Sequence, residues 1–343
     1  MPFPETYSVW CSRGHSTRRS RRAGLKGIAR ALVLALSGAG LVLFAGCENA
    51  FNPKGPYAEQ LIVYSILTTR SDTQYVRVYT TYNPSGFNPL DQTTDTYVQG
   101  ARVTVGKGDS TYLFRDTTIA RIDQSRYATN VAAYVAYPMR IARDSMYSLQ
   151  VVSDQGSAYA TVTVPGRGAV TANNPFVLND PGRYAEDISS TVYLSPATAG
   201  YLLRIIVTFE YLEDGVWKQS SAEVPYAGTK EPNGDLTLNY PILTRRTASL
   251  ISPTETVFFS VGAYEALLAQ LQSQHGIIRL LSAAYVLTQV EQNLYRYFNI
   301  VNGFQDEFSI RTDQPDYTDV QGGLGLFGAM TEDSTVVDPT KYH

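Results

Sequence analysis

The sequence predicts a mainly β protein built as two immunoglobulin-like or β-sandwich domains, the second carrying two helices. Three observations predict it. Short apolar, β-branched runs with period-2 character recur from residue 57 onward, and Gly, Pro, Asn and Asp clusters punctuate them. Two stretches in the second half switch to helical spacing. The 343 residues suffice for two cores at roughly 100–200 residues per domain. With 44% hydrophobic and only 17% charged side chains, the composition excludes a disordered chain.

The first 46 residues read as a targeting segment. They hold seven basic side chains (Arg13, Arg18, Arg19, Arg21, Arg22, Lys26, Arg30) and one acidic one, Glu5. Subtracted from whole-chain totals of 28 and 31, this leaves 21 basic and 30 acidic residues in 47–343. The apolar run Ala31–Phe44 follows, then Ala45-Gly46-Cys47. A basic n-region, a short h-region and small residues before a cut site make a secretory signal, and the run is too short for a clean membrane span. The sequence resembles a bacterial lipobox, with Phe44 where leucine is usual. Cys47 is thus the expected lipidation site, anchoring the mature protein to a membrane through two or three acyl chains, since one chain binds only marginally. Cys11 leaves with the signal, so the mature chain has no disulfide, and its stability must come from packing. Residues 47–56 form a tether, kept irregular by Pro53, Gly55 and Pro56.

The N-terminal β-sandwich domain is expected over 57–165. Leu61–Leu67 suits a buried strand, and Gln74–Tyr82 is rich in aromatic and β-branched residues that favour a pleated surface. Asn83–Thr96 is a loop with Asn-Pro and Ser-Gly breakers. Ala101–Val105 and Thr111–Arg115 flank Gly106–Ser110 as a hairpin, and Tyr147–Ser153 pairs with Ala158–Val164 across Asp154-Gln-Gly156. No Cys–Trp–Cys core is present, so a disulfide-bonded immunoglobulin domain is excluded. The C-terminal β-rich domain, 166–343, follows a Gly/Pro/Asn-rich link. It has strands near Thr191–Leu194, Tyr201–Tyr211, Val216–Lys218, Thr256–Val261 and Ala283–Val290. Helices are predicted near 263–274, from the stripe Tyr264, Leu267, Leu268, Leu271 before Gly276, and near 292–302, from Leu294, Tyr297, Phe298, Val301 before Gly303.

Motifs able to carry chemistry are few. Gly323-Leu-Gly325-Leu-Phe-Gly328 fits G-x-G-x-x-G literally. Only 15 residues follow it, however, and no βαβ unit surrounds it, so it reads as a glycine-rich closing strand needing close backbone approach or positive φ. After the signal, the histidines are His275, at a helix end where an imidazolium suits the dipole, and the final residue His343. No Ser-His-Asp elbow and no zinc set can be assembled. Asp306, Glu307, Asp313, Asp316 and Asp319 form an acidic stretch. Asp313, Asp316 and Asp319 are weak calcium candidates whose spacing fits no EF-hand, so a solvated loop is the simpler reading. Of 25 tyrosines, 24 follow Cys47. Tyr75, Tyr79, Tyr82, Tyr134 and Tyr137 would suit a glycan or peptide surface, or else simple cross-strand packing. The negative mature chain has no basic patch to track phosphates, which argues against nucleic acid.

Several of these features resemble a family known only as domain of unknown function 4249, found in Bacteroidota-type lipoproteins. They are Cys47, Gln60–Ser65, Gly100–Val105, Tyr147–Val151, Ala160–Pro165, Tyr295–Phe298 and, most specifically, Val320–Ala329 with its Gly-Gly-Leu-Gly pattern. Many members carry Asn-Ile where this chain has Val320-Gln321. The resemblance implies a cell-envelope lipoprotein, often encoded beside TonB-dependent outer-membrane receptors, and no established activity. The expectation is therefore a lipid-anchored outer-membrane binding or accessory protein, non-catalytic and without cofactor, working with such a receptor or another envelope partner and taking a glycan or peptide ligand. The alternatives are a carboxylate-based envelope glycan hydrolase, betrayed by two convergent carboxylates in an aromatic cleft, or a purely structural scaffold.

Overall fold

A computed structural model describes residues 57–83, 96–121, 130–184, 186–231, 236–302 and 317–342. The protein is mainly β, as the alternation predicts. In the first half, β1 (Leu61–Thr68), β2 (Gln74–Thr80), β3 (Arg102–Lys107), β4 (Ser110–Ile119), β5 (Val131–Ala136), β6 (Met146–Ser153) and β7 (Gly156–Thr163) follow one another. Alternate residues of β1, namely Leu61, Val63, Ser65 and Leu67, are buried, as a strand with one face on a core requires. The second half holds β8 (Ala169–Ala172), the one-turn helix α1 (Phe176–Asn179), β9 (Ile188–Tyr193), β10 (Gly200–Glu213) and β11 (Val216–Glu223). These are followed by β12 (Ala227–Lys230), β13 (Leu236–Asn239), β14 (Thr244–Arg245), β15 (Thr254–Phe259), α2 (Val261–His275), β16 (Ile278–Val290), α3 (Gln292–Asn302) and β17 (Gly323–Val337).

One sheet runs through both halves in the order β11-β10-β16-β17-β1-β2-β5-β4-β3-β6-β7, with β14 also on β10. Two smaller sheets, β12-β13 and β15-β9-β8, lie in the second half. The joining element is β17. Residues Gly323–Met330 pair in parallel with β1, and Met330–Val337 pair antiparallel with β16. Hydrophobic clusters divide close to residue 165. The first gathers Leu61 through Val164 and recruits Val320, Phe327 and Ala329, and the second gathers Val170 through Leu287. The first core thus draws on both ends of the chain and one sheet crosses residue 165, so residues 58–343 form one compact unit.

The glycine motif is this closing strand. Gly325 has φ +117°, and a Cβ there would overlap the Val63 carbonyl oxygen of β1. Only glycine lets the two backbones lie this close with that φ.

A buried polar network fastens the link at 166–168. Gln289 of β16 is fully buried; its Oε1 accepts from the Ser195 N–H (2.8 Å) and the Thr198 hydroxyl (2.7 Å), and its Nε2 donates to the Gly166 carbonyl (3.2 Å). The Gly166 N–H donates to Ser195 Oγ at 2.8 Å. Arg143 Nη1 meets Asp333 Oδ2 at 2.8 Å, and the Gly168 N–H donates to the same oxygen at 2.9 Å. Every partner here offsets the cost of desolvating a polar group.

Both predicted helices form. In α2, Tyr264, Leu267 and Leu271 are buried, and Leu268 packs against the same core. Ser260 Oγ caps the helix by accepting from the Ala263 N–H, and Gly276 at φ +74° ends it. The Tyr264 hydroxyl donates to the Leu178 carbonyl at 2.9 Å. Leu294 of α3 joins Val290 and Leu326 in a third, smaller cluster.

Candidate functional site

An apolar concavity lies in the second half. Its floor is Tyr201 and Leu203 of β10, one wall is Thr256–Phe259 of β15, and the other is Pro241, Ile242 and Thr244, with Tyr226 at one end. The cavity encloses about 350 Å³. Local sequence explains the wall: Phe258 and Phe259 are adjacent on one strand, so they point to opposite faces. Phe259 is fully buried, while Phe258 remains 56% exposed. Ile242 is 75% exposed and Tyr226 is 50% exposed, so apolar side chains of the rim stand in water, the mark of an interaction surface rather than a core. The Tyr201 hydroxyl donates to Glu255 Oε2 at 3.0 Å, and Glu255 Oε1 accepts from the Thr247 and Ala248 N–H groups at 2.6 Å each. Burial opposes ionisation of Glu255, but these donors outweigh it and hold the carboxyl below its ordinary range. The charged carboxylate thereby straps the 247–248 segment to the base of β15.

Two further carboxylates meet beneath the glycine-rich strand. Glu291, immediately before α3, accepts from the Asn293 N–H (2.6 Å), the Leu294 N–H (2.7 Å) and the Ala329 N–H of β17 (3.4 Å). Asp319 accepts from the Phe327 N–H (3.0 Å) and from Asn293 Nδ2 (2.9 Å), and the Tyr317 hydroxyl donates to Asn293 Oδ1 (2.9 Å). Burial pushes the Glu291 carboxyl up to about 7; the three N–H donors pull against it, and neighbouring Asp319 adds to the rise. Burial also raises Asp319. A cavity of about 390 Å³ beside Glu291 is lined by Thr161, Thr163, Ala197, Gln292 and Asn293, with no aromatic wall among the described residues. The pair is chiefly a clasp that holds the start of α3 against β17.

A pH effect follows from the raised Glu291. Its folded value exceeds the ordinary 4.5, so the folded state binds this proton more tightly than the unfolded chain does. The associated stability is complete below pH 4.5 and is lost as pH rises through about 7, a change of order 3 kcal/mol. The urea midpoint is expected to fall between pH 5 and pH 8. Glu291→Gln should flatten that fall, and an unchanged slope in the variant would show that another group titrates.

Of the residues singled out from sequence, Cys47, Asp313 and Asp316 lie outside the described residues. Asp319 lies inside, with both oxygens already accepting protein donors. No cluster of three metal-ligating side chains occurs among the described residues. The tyrosines divide. Tyr134 is buried, donating to the Val98 carbonyl (2.6 Å) and accepting from the Ala101 N–H (2.8 Å), and Tyr79 is buried in the same half, with Tyr97 in ring contact with both. Tyr75 and Tyr137 are exposed, and Tyr82 is half-buried. His275 ends α2, its ring 4.2 Å from that of Tyr211. The groove residues Tyr201, Tyr226, Ile242 and Phe258 were not singled out. The consecutive phenylalanines were the one available signal, because a strand cannot bury both on the same face.

A family model described as "Domain of unknown function (DUF4249)" matches residues 48–336. No curated protein matches the chain. Among solved structures, the C-terminal globular domain of an oligosaccharyltransferase from Pyrococcus abyssi is similar at 12% identity, over 69% of this chain and 50% of that one. The TM-score of that match is 0.21.

Proposed function

This chain belongs to the DUF4249 family, and we propose that it is a lipid-anchored outer-membrane binding or accessory protein, non-catalytic, that assists a TonB-dependent receptor or another envelope partner. The observation that carries the reading is the order of segments along the chain: a basic and then apolar leader, Ala45-Gly46-Cys47, a short irregular tether, and then at once a β-rich body. Acyl chains on Cys47 would hold that body within a few nanometres of a membrane, at most ~3.3–3.6 Å of reach per tether residue. The groove beside β15 supplies a surface on which a partner or ligand would bury Phe258, Ile242 and Tyr226.

A second reading, glycan hydrolysis, draws on the raised Glu291 beside Asp319. It ranks lower because the oxygens of both carboxylates already take backbone or amide donors, and a general acid or nucleophile must face its substrate.

The test is membrane fractionation and affinity capture from detergent-solubilised envelopes, wild type against Cys47→Ala. The wild type should sediment with membranes and recover one outer-membrane receptor in near-equal amount, whereas Cys47→Ala should be released to the soluble fraction. Identical fractionation of the two proteins would remove the lipid anchor from the reading. Recovery of the wild type alone would remove the receptor.

A further inference from the structure

We propose that the groove beside β15 binds an extended peptide segment of a partner, which adds to the free edge of β15 as an extra strand. The proposal rests on the binding role above and names the class of ligand.

The polarity of β15 follows from its pairing. The Leu194 N–H donates to the Pro253 carbonyl at 2.9 Å, and the register runs Thr254↔Tyr193 to Phe259↔Ile188. In an antiparallel pair, one residue's N–H and C=O point to the same side, and the side alternates along the strand. Glu255, Val257 and Phe259 therefore turn their backbone groups toward β9, and Thr254, Thr256 and Phe258 turn theirs away. The next residue in the outward series confirms this direction: the Ser260 N–H donates to the Tyr226 carbonyl at 3.0 Å. Tyr226 also lines the groove. Among the described residues, no backbone partner meets Thr256 or Phe258 on that side, and β15 is terminal in its sheet.

The outward edge of Thr256 and Phe258 thus presents peptide donors and acceptors at one wall of an apolar trough. A lipid chain or a glycan would leave those peptide groups without a backbone partner; an extended peptide pairs with them, as the Tyr226 carbonyl already does with the Ser260 N–H. Its alternate side chains would lie over Tyr201 and Leu203 and against Ile242. The far wall of Pro241, Ile242 and Thr244 favours a lone strand over the edge of a second folded copy.

The full-length protein in detergent is panned against phage-displayed random dodecapeptides, with Thr256→Pro as the counter-target. Proline at position 256 removes an outward N–H and no bond to β9, so the sheet should survive. Enriched peptides should alternate apolar and polar residues and should bind Thr256→Pro about tenfold more weakly. Alternate N-methylation of the same peptides, which leaves the protein untouched, should cost a similar factor. The absence of enriched peptides would overturn the proposal, as would peptides indifferent to both changes. Concentration-dependent dimerisation abolished by Thr256→Pro would also overturn it, naming a second copy as the occupant. Peptide binding by a protein that recovers no receptor from envelopes would leave this inference standing and remove the receptor alone.

Discussion

Replacing Gly325 by alanine is expected to destabilise the fold by about 4 kcal/mol or more, a large share of the stability of a domain. Two costs coincide there. The φ of +117° is one that L side chains rarely adopt, and the new Cβ would overlap the Val63 carbonyl oxygen and lie 2.9 Å from its nitrogen. Neither neighbour is a movable side chain. Relief would require β1 and β17 to separate, and these strands are paired over eight residues at the seam of the first core. Gly276→Ala is the control: φ is +74°, but nothing lies within 4 Å of the added Cβ, so strain alone should cost about 1–3 kcal/mol. Urea denaturation of the two variants separates the effects. A Gly325→Ala protein no less stable than Gly276→Ala would refute the close approach.

Gln289→Leu is expected to cost roughly 3–5 kcal/mol, although it adds apolar volume at a buried position. Leucine neither accepts from the Ser195 N–H nor donates to the Gly166 carbonyl. The Thr198 hydroxyl can turn to Ser195 Oγ, 3.0 Å away, but the Ser195 N–H has no such second choice. An orphaned buried donor bears its full desolvation cost. Beyond the lower denaturation midpoint, amide exchange at Gly166 and Gly168 should accelerate, because the link loses the Gln289 bond to the Gly166 carbonyl and keeps Ser195 on the Gly166 N–H and Asp333 with Arg143. Unchanged exchange at those glycines would show that the network does not secure the link.

Much of the architecture was legible because its cause is local. Tyr147–Ser153 and Tyr201–Tyr211 interleave apolar with polar residues, and both form strands with alternate residues buried. Leu61–Leu67 is apolar but for Ser65, so it was legible as a strand, while only its partners decide that Ser65 is buried and Tyr64 and Ile66 are exposed. The stripe Tyr264, Leu267, Leu271 with Gly276 behind it likewise specifies α2. Elements with weak local signals escaped. β5 carries three alanines in six residues, and β12, β13 and β14 are short and mostly polar or exposed, so their identity as strands comes from their partners.

The candidate site was far less legible, for the same reason. The exposure of Phe258 depends on β15 being the end of its sheet, and the raised Glu291 depends on burial beneath Ala329 and beside Asp319, both distant in sequence. A pKa or a groove is a property of neighbours, and a linear pattern does not say who they are.

The sequence by itself determined the β class, the two helices, the glycine-rich closing strand and the expectation of a lipidated Cys47, since each rests on residues adjacent along the chain. Only the tertiary structure decided that the closing strand lies parallel to β1 and joins the two cores through one sheet. It also decided that Gln289 pins the link and that β15 keeps an open edge. Those outcomes turn on pairings between segments far apart along the chain, chosen by which buried faces and unpaired backbone edges fit together once the whole chain has collapsed.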